Sequence, residues 1–290
     1  MKGIILAGGK GSRMAPLTRA ISKHLLPVHD KPMIYYPLGV LLLAGIRDIL
    51  IISTPDQLSG YQALLNDGSQ LGISIKYEVQ HHANGIAEAF IIGEKFIDNS
   101  PVALILGDNF FYVEGFEQLL KQLTKLSKGA FVIAKRVKNP SDYGVVEFNS
   151  DNKVVSIEEK PLSPKSNFAL TGLYFYDSRV VDFAKKLTPS NRNELEITDI
   201  NNIYLNDSEL NVKLLGRGAQ WFDMGTLATY RQANALVAAI ENSKDFKVGC
   251  IEEIAYNLGY ITKSELERLS AEFSDNEYRE YLCSILNHQI

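Results

Sequence analysis

The amino-acid sequence predicts an α/β fold: a mixed, mostly parallel sheet flanked by helices, with a small helical extension at the C-terminus. In the first half of the chain, short apolar runs alternate with helix-length segments, which is the pattern of strand–helix–strand units in a parallel sheet. In the second half, short strand-like runs follow one another with few helices between them. Near the C-terminus, two capping-box patterns, Thr262-Lys263-Ser264-Glu265 and Ser274-Asp275-Asn276-Glu277, predict short amphipathic helices.

The first half contains four predicted strands and four predicted helices. The strands at residues 3–7, 48–53 and 102–106 are largely apolar on both faces and are followed by turn residues, as expected of strands covered by helices. The strands are residues 3–7, 48–53, 73–79 and 102–106, and the helices are residues 33–44, 55–66, 85–97 and 115–126. Ligands of such sheets bind beyond the carboxyl ends of the strands. The glycines at 8–11, Gln80 and Asp108 all follow strand ends, so we expect them to converge.

The second half is predicted to be a continuation of the same domain. Its strands are residues 130–137, 144–148, 154–158, 170–176 and 211–215, and its helices are residues 226–242 and 250–258. Because the sequence contains no flexible linker between the halves, residues 1–240 are predicted to form one domain, and residues 241–290 form the helical extension.

The composition excludes several classes of protein. A net charge of −4 gives no overall basic field for nucleic acid or an anionic membrane. No apolar run approaches the ~20 residues of a membrane span, and the N-terminal apolar run is too short for a signal peptide. Cys250 and Cys283 form neither a CxxC pair nor a disulfide framework. We therefore expect a cytoplasmic protein in a reducing compartment that binds neither nucleic acid nor a membrane.

The loop Gly8-Gly9-Lys10-Gly11-Ser12-Arg13 is a candidate phosphate-binding site. Its glycines allow backbone N–H groups to approach an anion closely, and Lys10, Arg13 and Lys23 add positive charge. The loop lacks the GxxxxGK[ST] pattern of a Walker A loop, and Met14 stands where a dinucleotide-binding fingerprint needs a small residue. An arginine in the loop suits a triphosphate. From the loop alone, an ordinary strand-to-helix turn remains an open alternative.

The same loop resembles a known family. Residues 8–14, with Pro16-Leu17-Thr18 and Lys23-His24-Leu25-Leu26-Pro27-Val28, resemble the sugar-phosphate nucleotidylyltransferase signature GGxGTRLxPLT…KxLLPV. The segment at residues 30–37 is similar to that of the long-form glucose-1-phosphate thymidylyltransferases. The resemblance extends to about residue 240 and, more loosely, to the C-terminus. It implies a Rossmann-like fold of the nucleotide-diphospho-sugar transferase type.

The resemblance implies a reaction between dTTP and glucose 1-phosphate. The sugar phosphate would attack the α-phosphorus in line, assisted by Mg²⁺, to give dTDP-glucose and pyrophosphate. This phosphate is mostly dianionic at neutral pH because its second pKa is ~6, so fixed cations rather than a strong base are required. One alternative is the same chemistry with UTP or another hexose 1-phosphate. Another is a catalytically silent regulatory protein that binds a sugar nucleotide.

Two aspartates and three cations are the predicted catalytic residues. Asp108 follows a hydrophobic strand and Asp223 precedes a helix, and a turn or a helix cap would explain either one alone. Mg²⁺ commonly takes one or two carboxylates, and the resemblance implies that both aspartates bind it. Arg13 and Lys23 would neutralise the triphosphate. By resemblance, Lys160 would meet the phosphate of the sugar.

Two further sets of residues are predicted to bind the substrates. Gln80 can both donate and accept hydrogen bonds, which suits the imide edge of thymine or uracil. By resemblance, the nucleotide-binding residues are Leu6, Gly8, Gly9, Gly11, Ser12, Arg13, Gln80, Gly85 and Asp108. By resemblance, the residues that bind the sugar phosphate are Gly144, Glu159, Lys160, Leu170 and Tyr174.

The sequence departs from the family pattern near the base and in the extension. Residues 81–89 read HHANGIAEA where the thymidylyltransferases usually have PSPDGLAQA, so the preference for dTTP over UTP stays open. Long-form relatives imply a homotetramer, a dimer of dimers, inhibited by an end-product sugar nucleotide at an interface site. Here Asn257 replaces an arginine, which removes a bidentate phosphate contact worth ~1.5–3 kcal/mol. We therefore expect an altered effector site.

Overall fold

The structure, a computed structural model, describes residues 1–9 and 11–287. Lys10 of the candidate phosphate loop lies outside the described residues. Within them, the strands are β1 (Lys2–Leu6), β2 (Pro27–Val28), β3 (Lys31–Pro32), β4 (Asp48–Ser53), β5 (Ser74–Val79), β6 (Val102–Leu106), β7 (Asn109–Tyr112), β8 (Ala130–Arg136), β9 (Gly144–Phe148), β10 (Val154–Glu159), β11 (Phe168–Tyr176), β12 (Leu210–Leu214) and β13 (Gln220–Asp223).

The helices cover both faces of the sheet and the C-terminal end of the chain. They are α1 (Tyr35–Leu43), α2 (Leu58–Leu65), α3 (Glu88–Ile92), α4 (Glu94–Ile97), α5 (Phe116–Leu123), α6 (Val180–Lys186), α7 (Ile197–Asn206), α8 (Leu227–Ser243), α9 (Ile251–Asn257), α10 (Lys263–Glu272) and α11 (Glu277–Asn287). Over the part of the chain that the structure covers, no helix has the length and apolar character needed to cross a bilayer.

The central sheet is mixed, which confirms the predicted fold class. Its order is β10-β9-β11-β6-β1-β4-β5, and β8 pairs with β11 and with β12. Strands β6, β1, β4 and β5 are parallel, with Ile5 of β1 opposite Ile51 of β4 and Ile105 of β6. β11 runs antiparallel to β6, β8 and β9. The parallel strands therefore end at one edge, where the predicted nucleotide-binding residues follow them.

Neighbouring residues of the central strand belong to different hydrophobic cores. Ile4 packs in a core with Phe90 of α3, whereas Ile5 packs in a core with Leu38 of α1. Successive side chains of a strand point to opposite faces, so each face of β1 needs its own layer of helices. This explains why residues 3–6 of the first strand carry no polar side chain, rather than alternating between apolar and polar.

A two-stranded ribbon outside the central sheet brings distant parts of the chain together. β7 and β13 are antiparallel, with Asp223 opposite Asn109 and Trp221 opposite Phe111. The backbone N–H of Met224 donates to the backbone oxygen of Asp108 over 2.9 Å. The ribbon was not predicted, and it decides where Asp223 lies.

Several predicted helix boundaries were wrong, and two of them have a clear physical reason. The helix predicted at residues 85–97 begins at Glu88 and divides into α3 and α4 at Gly93, whose ψ of 3° departs from helical geometry. A Cβ at Gly93 would lie 2.9 Å from the Ala89 oxygen and 3.1 Å from Ile4 Cδ1, so packing against β1 favours glycine there. The capping box predicted at Ser274 is replaced by a cap at Asn276, whose Oδ1 accepts the Arg279 N–H over 2.9 Å.

The C-terminal helices pack on the sheet-covering helix α1. Ile251 of α9, Leu266 of α10 and Leu282 of α11 are buried in the same core as Leu38 of α1. The capping box at Thr262 is formed as predicted, because its Oγ1 accepts the N–H of residue 265 and the Glu265 carboxylate accepts the N–H of Thr262. The extension thus shares a core with the rest of the chain.

Candidate active site

The candidate site lies at the carboxyl edge of the parallel strands. Gly8, Gly9 and Gly11 follow β1, and the loop turns into a short 3-10 segment at Ser12–Met14, where Ser12 and Arg13 are exposed. A Cβ at Gly8 would lie 2.6 Å from Gln80 Oε1, so glycine is required for Gln80 to lie against the loop. The loop and the end of β5 are therefore neighbours, as predicted from their positions after the carboxyl ends of strands.

The acidic centre consists of Asp108 and Asp223, joined by the β7–β13 ribbon. Asp108 follows β6, and its carboxylate forms a salt bridge with the Lys23 ammonium, both side chains being only 11–12% exposed. Asn109 Nδ2 donates to Asp108 Oδ1 over 3.1 Å. Asn109 Oδ1 in turn accepts the Trp221 Nε1–H over 2.6 Å. Because Oδ1 of Asn109 accepts the hydrogen bond from Trp221, the amide nitrogen Nδ2 of Asn109 faces Asp108.

The two carboxylates have opposite electrostatic environments. Burial raises the pKa of Asp223 to about 6, and the negative charge of Asp108 adds to the rise, outweighing the opposing charges of Lys23 and Arg13. Burial would also raise the pKa of Asp108, but the charge of Lys23 and the hydrogen bonds from Lys23 and Asn109 hold that pKa well below its ordinary value. Asp108 is therefore ionised, and its charge opposes ionisation of Asp223. A divalent cation between them would relieve this repulsion.

Arg13 reaches the same centre from the glycine loop. A Cβ at Gly225 would lie 2.7 Å from Arg13 Nη2 and 2.9 Å from Asp223 Oδ1. Both side chains therefore approach the Gly225 backbone, which follows β13 directly. Residues from the two ends of the 1–240 region converge here.

Replacing Gly225 by Ala is expected to lower turnover by about tenfold, because the new methyl group displaces the side chains of Arg13 and Asp223. The thermal unfolding midpoint should stay nearly unchanged, because the methyl group does not displace residues of the hydrophobic core. The comparison is steady-state turnover against Gly218→Ala, a position where a Cβ would meet nothing within 4 Å. Equal turnover in the two variants would show that the placement of Arg13 and Asp223 does not limit the reaction.

The predicted base-binding residues lie together on one side of the loop. Gln80 is 5% exposed, and its Nε2 lies 3.4 Å from the Gly85 oxygen. Gly85 has φ +104°, and a Cβ there would collide with the backbone of Leu195. Leu6, at the end of β1, is 9% exposed. The structure thus places Gly8 and Gly85 next to Gln80, with Leu6 at the end of the strand that leads into Gly8.

The predicted sugar-binding residues also converge. A Cβ at Gly144 would lie 3.3 Å from Glu159 Oε2 and 3.4 Å from Leu170 Cδ1. Burial raises the pKa of the Tyr174 phenol well above its ordinary value, and the charges of Glu159 and Asp223 raise it further. Tyr174 therefore lies within the electrostatic influence of both carboxylates. Lys160 is exposed, has a φ of +43°, and donates its N–H to the Tyr143 oxygen over 3.0 Å.

Several residues of this pocket were missed by the sequence analysis. Thr198 Oγ1 donates to Glu159 Oε2 over 2.5 Å, and Arg192 Nη2 lies 3.4 Å from Glu159 Oε1. Burial raises the pKa of Tyr143 to about 12, and the charge of Asp223 contributes, so this phenol also borders the acidic centre. Thr198 lies within residues 194–201 and Arg192 shortly before them, and the family resemblance, which extends over this segment to about residue 240, was the signal that could have drawn attention to both residues. Nothing in the sequence alone points to Tyr143.

His24 is a buried neutral group beneath the acidic centre. It is 1% exposed, and its Nδ1 lies 3.0 Å from the Tyr61 hydroxyl and 3.2 Å from Ser22 Oγ. Burial lowers its pKa from 6.5 to about 3, the positive charge of Lys23 lowers it further, and Asp108 opposes the change. His24 is therefore a structural group rather than a proton carrier at neutral pH.

Acidification is expected to destabilise the protein through His24. The unfolded chain takes up this proton near pH 6.5 and the folded chain only near pH 3, so the free energy of unfolding falls by about 1.4 kcal/mol per pH unit between these values. The loss in unfolding free energy between pH 7.5 and 5.5, measured by denaturant titration, should be about 1.4 kcal/mol smaller in His24→Gln than in the wild type. The exposed His82→Gln is the control, and an equal loss in all three proteins would contradict this account.

Comparisons with known proteins identify the family of this chain. A family model described as nucleotidyl transferase matches residues 2–240. A glucose-1-phosphate thymidylyltransferase of Neisseria meningitidis is 54% identical over 286 residues, covering 99% of each chain. One of Mycobacterium tuberculosis (strain H37Rv) is 47% identical, also covering 99% of each.

Solved structures show the same fold. A Bacillus anthracis protein is 42% identical, with a TM-score of 0.77, covering 83% of this chain and 96% of that one. A UDP-glucose pyrophosphorylase in complex with UDP-glucose is 24% identical with a TM-score of 0.70, and at this identity the likeness concerns the fold alone. On the family match, which spans most of the sequence, and on the full-length relatives, this chain belongs to the nucleotidyl transferase family.

Proposed function

We propose that this chain transfers a thymidylyl group from dTTP to glucose 1-phosphate, giving dTDP-glucose and pyrophosphate. The name shared by its full-length relatives supports this choice of substrates. The observation that carries the proposal is that Arg13 and Asp223 meet at Gly225, within the influence of the Asp108 charge, and we infer that this centre lies between the base-binding end and the sugar-binding end of one substrate cleft. A reaction that joins two phosphate groups needs charged residues between the sites that bind the two substrates.

The chemistry is a phosphoryl substitution that needs positive charge more than a base. An oxygen of the sugar phosphate, mostly dianionic above its second pKa of ~6, forms a bond to the α-phosphorus of dTTP. The bond from that phosphorus to the bridging oxygen breaks, and pyrophosphate leaves with the electron pair. Arg13 supplies a planar pair of donors to the triphosphate, and Lys23 supplies a second cation. Lys160, beside Glu159, would neutralise the phosphate of the incoming sugar.

A magnesium ion fits the acidic centre. Carboxylate oxygens are preferred ligands of Mg²⁺, and burial together with the charge of Asp108 raises the pKa of Asp223, so a cation at this pair would favour its ionised form. We infer that Asp108 and Asp223 would hold the ion. When bound, the ion neutralises charge that develops on the phosphate oxygens. Asn109 keeps Asp108 oriented for this role through its hydrogen bond to Oδ1.

The substrates would be recognised at the two ends of the cleft. Gln80 and the backbone at Gly85 would meet the imide edge of the base, while Leu6, Gly8, Gly9, Gly11 and Ser12 would hold the nucleoside and its phosphates. Glu159, fixed by Thr198, would accept hydroxyl groups of the sugar. Gly144, Leu170 and Tyr174 would complete the sugar pocket.

Pyrophosphate release from pairs of nucleoside triphosphate and sugar 1-phosphate tests this function. The proposal predicts the highest kcat/KM with dTTP and glucose 1-phosphate, and no release when EDTA removes divalent ions. Faster release with UTP or with another hexose 1-phosphate would replace the proposed substrates. No release from any pair, with sugar nucleotides still binding in calorimetry, would favour a regulatory binding protein instead.

We also propose that the C-terminal helices form an interface of a homotetramer and carry a weakened effector site. Val113 and Asn257 line one cleft of about 260 Å³, together with Val40 of α1 and Gly249. Without an arginine at position 257, a phosphate there would lack a bidentate partner. Asn257→Arg is expected to strengthen inhibition by dTDP-rhamnose by about tenfold in inhibition constant. An unchanged inhibition constant would contradict the weakened site.

A further inference from the structure

Glu88 holds the side chain amide of Gln80 in one orientation. Glu88 is the first residue of α3, and its Oε2 accepts a hydrogen bond from Gln80 Nε2 over 2.8 Å. Its other oxygen, Oε1, accepts from Asn84 Nδ2 over 2.8 Å. Each carboxylate oxygen thus has an amide donor, and Asn84 keeps the carboxylate in place. None of the proposed chemical steps uses Glu88.

This arrangement decides which atom Gln80 presents to the nucleotide. An ionised carboxylate can only accept hydrogen bonds, so the nitrogen of the Gln80 amide must face Glu88 and its oxygen must face away. That oxygen lies next to Gly8 of the nucleotide loop, only 2.6 Å from where a Cβ would be. Gln80 is 5% exposed, so an unsuitable partner for this oxygen would leave a buried polar atom unpaired.

A fixed acceptor at this point selects one kind of pyrimidine. Thymine and uracil carry an N–H at ring position 3, which can donate to the Gln80 oxygen. Cytosine carries an unprotonated nitrogen there, and two acceptors facing each other repel. If the amide could turn over, its nitrogen would suit cytosine as well. The family pattern usually has Gln at position 88, whose own amide could accept or donate.

We propose that Glu88 is a positioning residue that makes the site selective for an imide base over cytosine, by fixing the Gln80 amide. The proposal rests on the proposed function, since it assumes that the base of the nucleotide lies at Gln80. It concerns discrimination against cytosine and predicts no change in the choice between thymine and uracil, which share the imide.

The test compares Glu88→Met, which removes both acceptor oxygens at similar size, with the wild type. We expect the ratio of kcat/KM for dTTP over dCTP to fall by about tenfold, the cost of one hydrogen bond to a buried partner. The change should lie in KM, with kcat for dTTP nearly unchanged, and the ratio for dTTP over UTP should stay the same. Glu88→Gln, which keeps one acceptor, should recover part of the discrimination, and Asn84→Ala should lose about twofold to threefold.

The matched control is Glu94→Met, at the first residue of the neighbouring helix α4, where the glutamate side chain forms an exposed ion pair with Lys185. It should behave as the wild type. Unchanged discrimination in folded Glu88→Met would overturn the proposal. So would an equal loss for dTTP, UTP and dCTP, which would assign Glu88 a purely structural role.

Calorimetric binding of dTTP and dCTP separates this proposal from the function on which it rests. A wild-type protein that binds dTTP more tightly than dCTP but releases no pyrophosphate would contradict the proposed function alone. The same binding ratio in wild type and Glu88→Met would contradict the role of Glu88 alone.

Discussion

Asp223→Asn is expected to lower kcat by at least about a hundredfold while changing the Kd for dTTP by less than about threefold. The substitution preserves size but removes one of the two carboxylates that would hold the divalent ion. Burial and the charge of Asp108 raise the pKa of Asp223 to about 6, so a nearby cation would stabilise the ionised form of this side chain. Its contribution should therefore appear mainly in the transition state, where charge on the phosphates is redistributed.

The two quantities are measured by steady-state kinetics and by calorimetry with dTTP. Asp151→Asn, at an exposed turn, is the control for the loss of one negative charge and should match the wild type. If Asp223→Asn weakened dTTP binding as much as it slowed turnover, the aspartate would act in ground-state binding rather than in the reaction.

Arg13→Ala is expected to lower kcat by about a thousandfold, in the range found for arginines that stabilise phosphoryl transfer. The guanidinium lies beside Gly225 and Asp223, where it can contact the phosphates as their charge changes. Arg13→Lys should recover only a small part of the rate, because a single ammonium cannot replace a planar pair of donors.

The control for Arg13 lies in the same exposed loop. Arg19→Ala removes an equal charge and should change kcat by less than about twofold, since a solvated charge contributes little. A similar loss in the two variants would mean that the general positive charge of the loop matters and that the position of Arg13 does not.

The parallel half of the fold could be predicted because its signals are local. Buried strands such as residues 102–106 are apolar at every position, and the turn residues after them mark the edge where ligands bind. That reasoning places Asp108 and Gln80 correctly relative to the glycine loop. It needs only the order and spacing of the strands.

The rest of the site depends on pairing between distant segments. No local pattern shows that β13 pairs with β7, yet this pairing brings Asp223 to Asp108. Likewise, Thr198 and Arg192 reach Glu159 only through the tertiary fold, so their roles were missed. The metal-binding role of Asp223 is a prediction from the family resemblance, and the ribbon explains how this residue comes to lie near Asp108.

The proposed role of Glu88 could not be predicted from the sequence for a related reason. In the sequence it is one acidic residue in a helix-like segment that departs from the family pattern. Its contacts with Gln80 and Asn84 depend on the loop at Gly85, which turns the chain back toward β5 before α3 begins. Spacing along a helix could not indicate this contact.

The position of the divalent ion is the most direct test of the central claim, that a carboxylate-held cation and Arg13 allow two phosphates to meet. The measurement is anomalous diffraction from crystals of the wild-type protein grown with Mn²⁺ and dTTP. The account predicts one anomalous peak bonded to carboxylate oxygens of both Asp108 and Asp223 and to a phosphate oxygen, with Arg13 contacting the triphosphate. A peak on the triphosphate that contacts neither aspartate would contradict it.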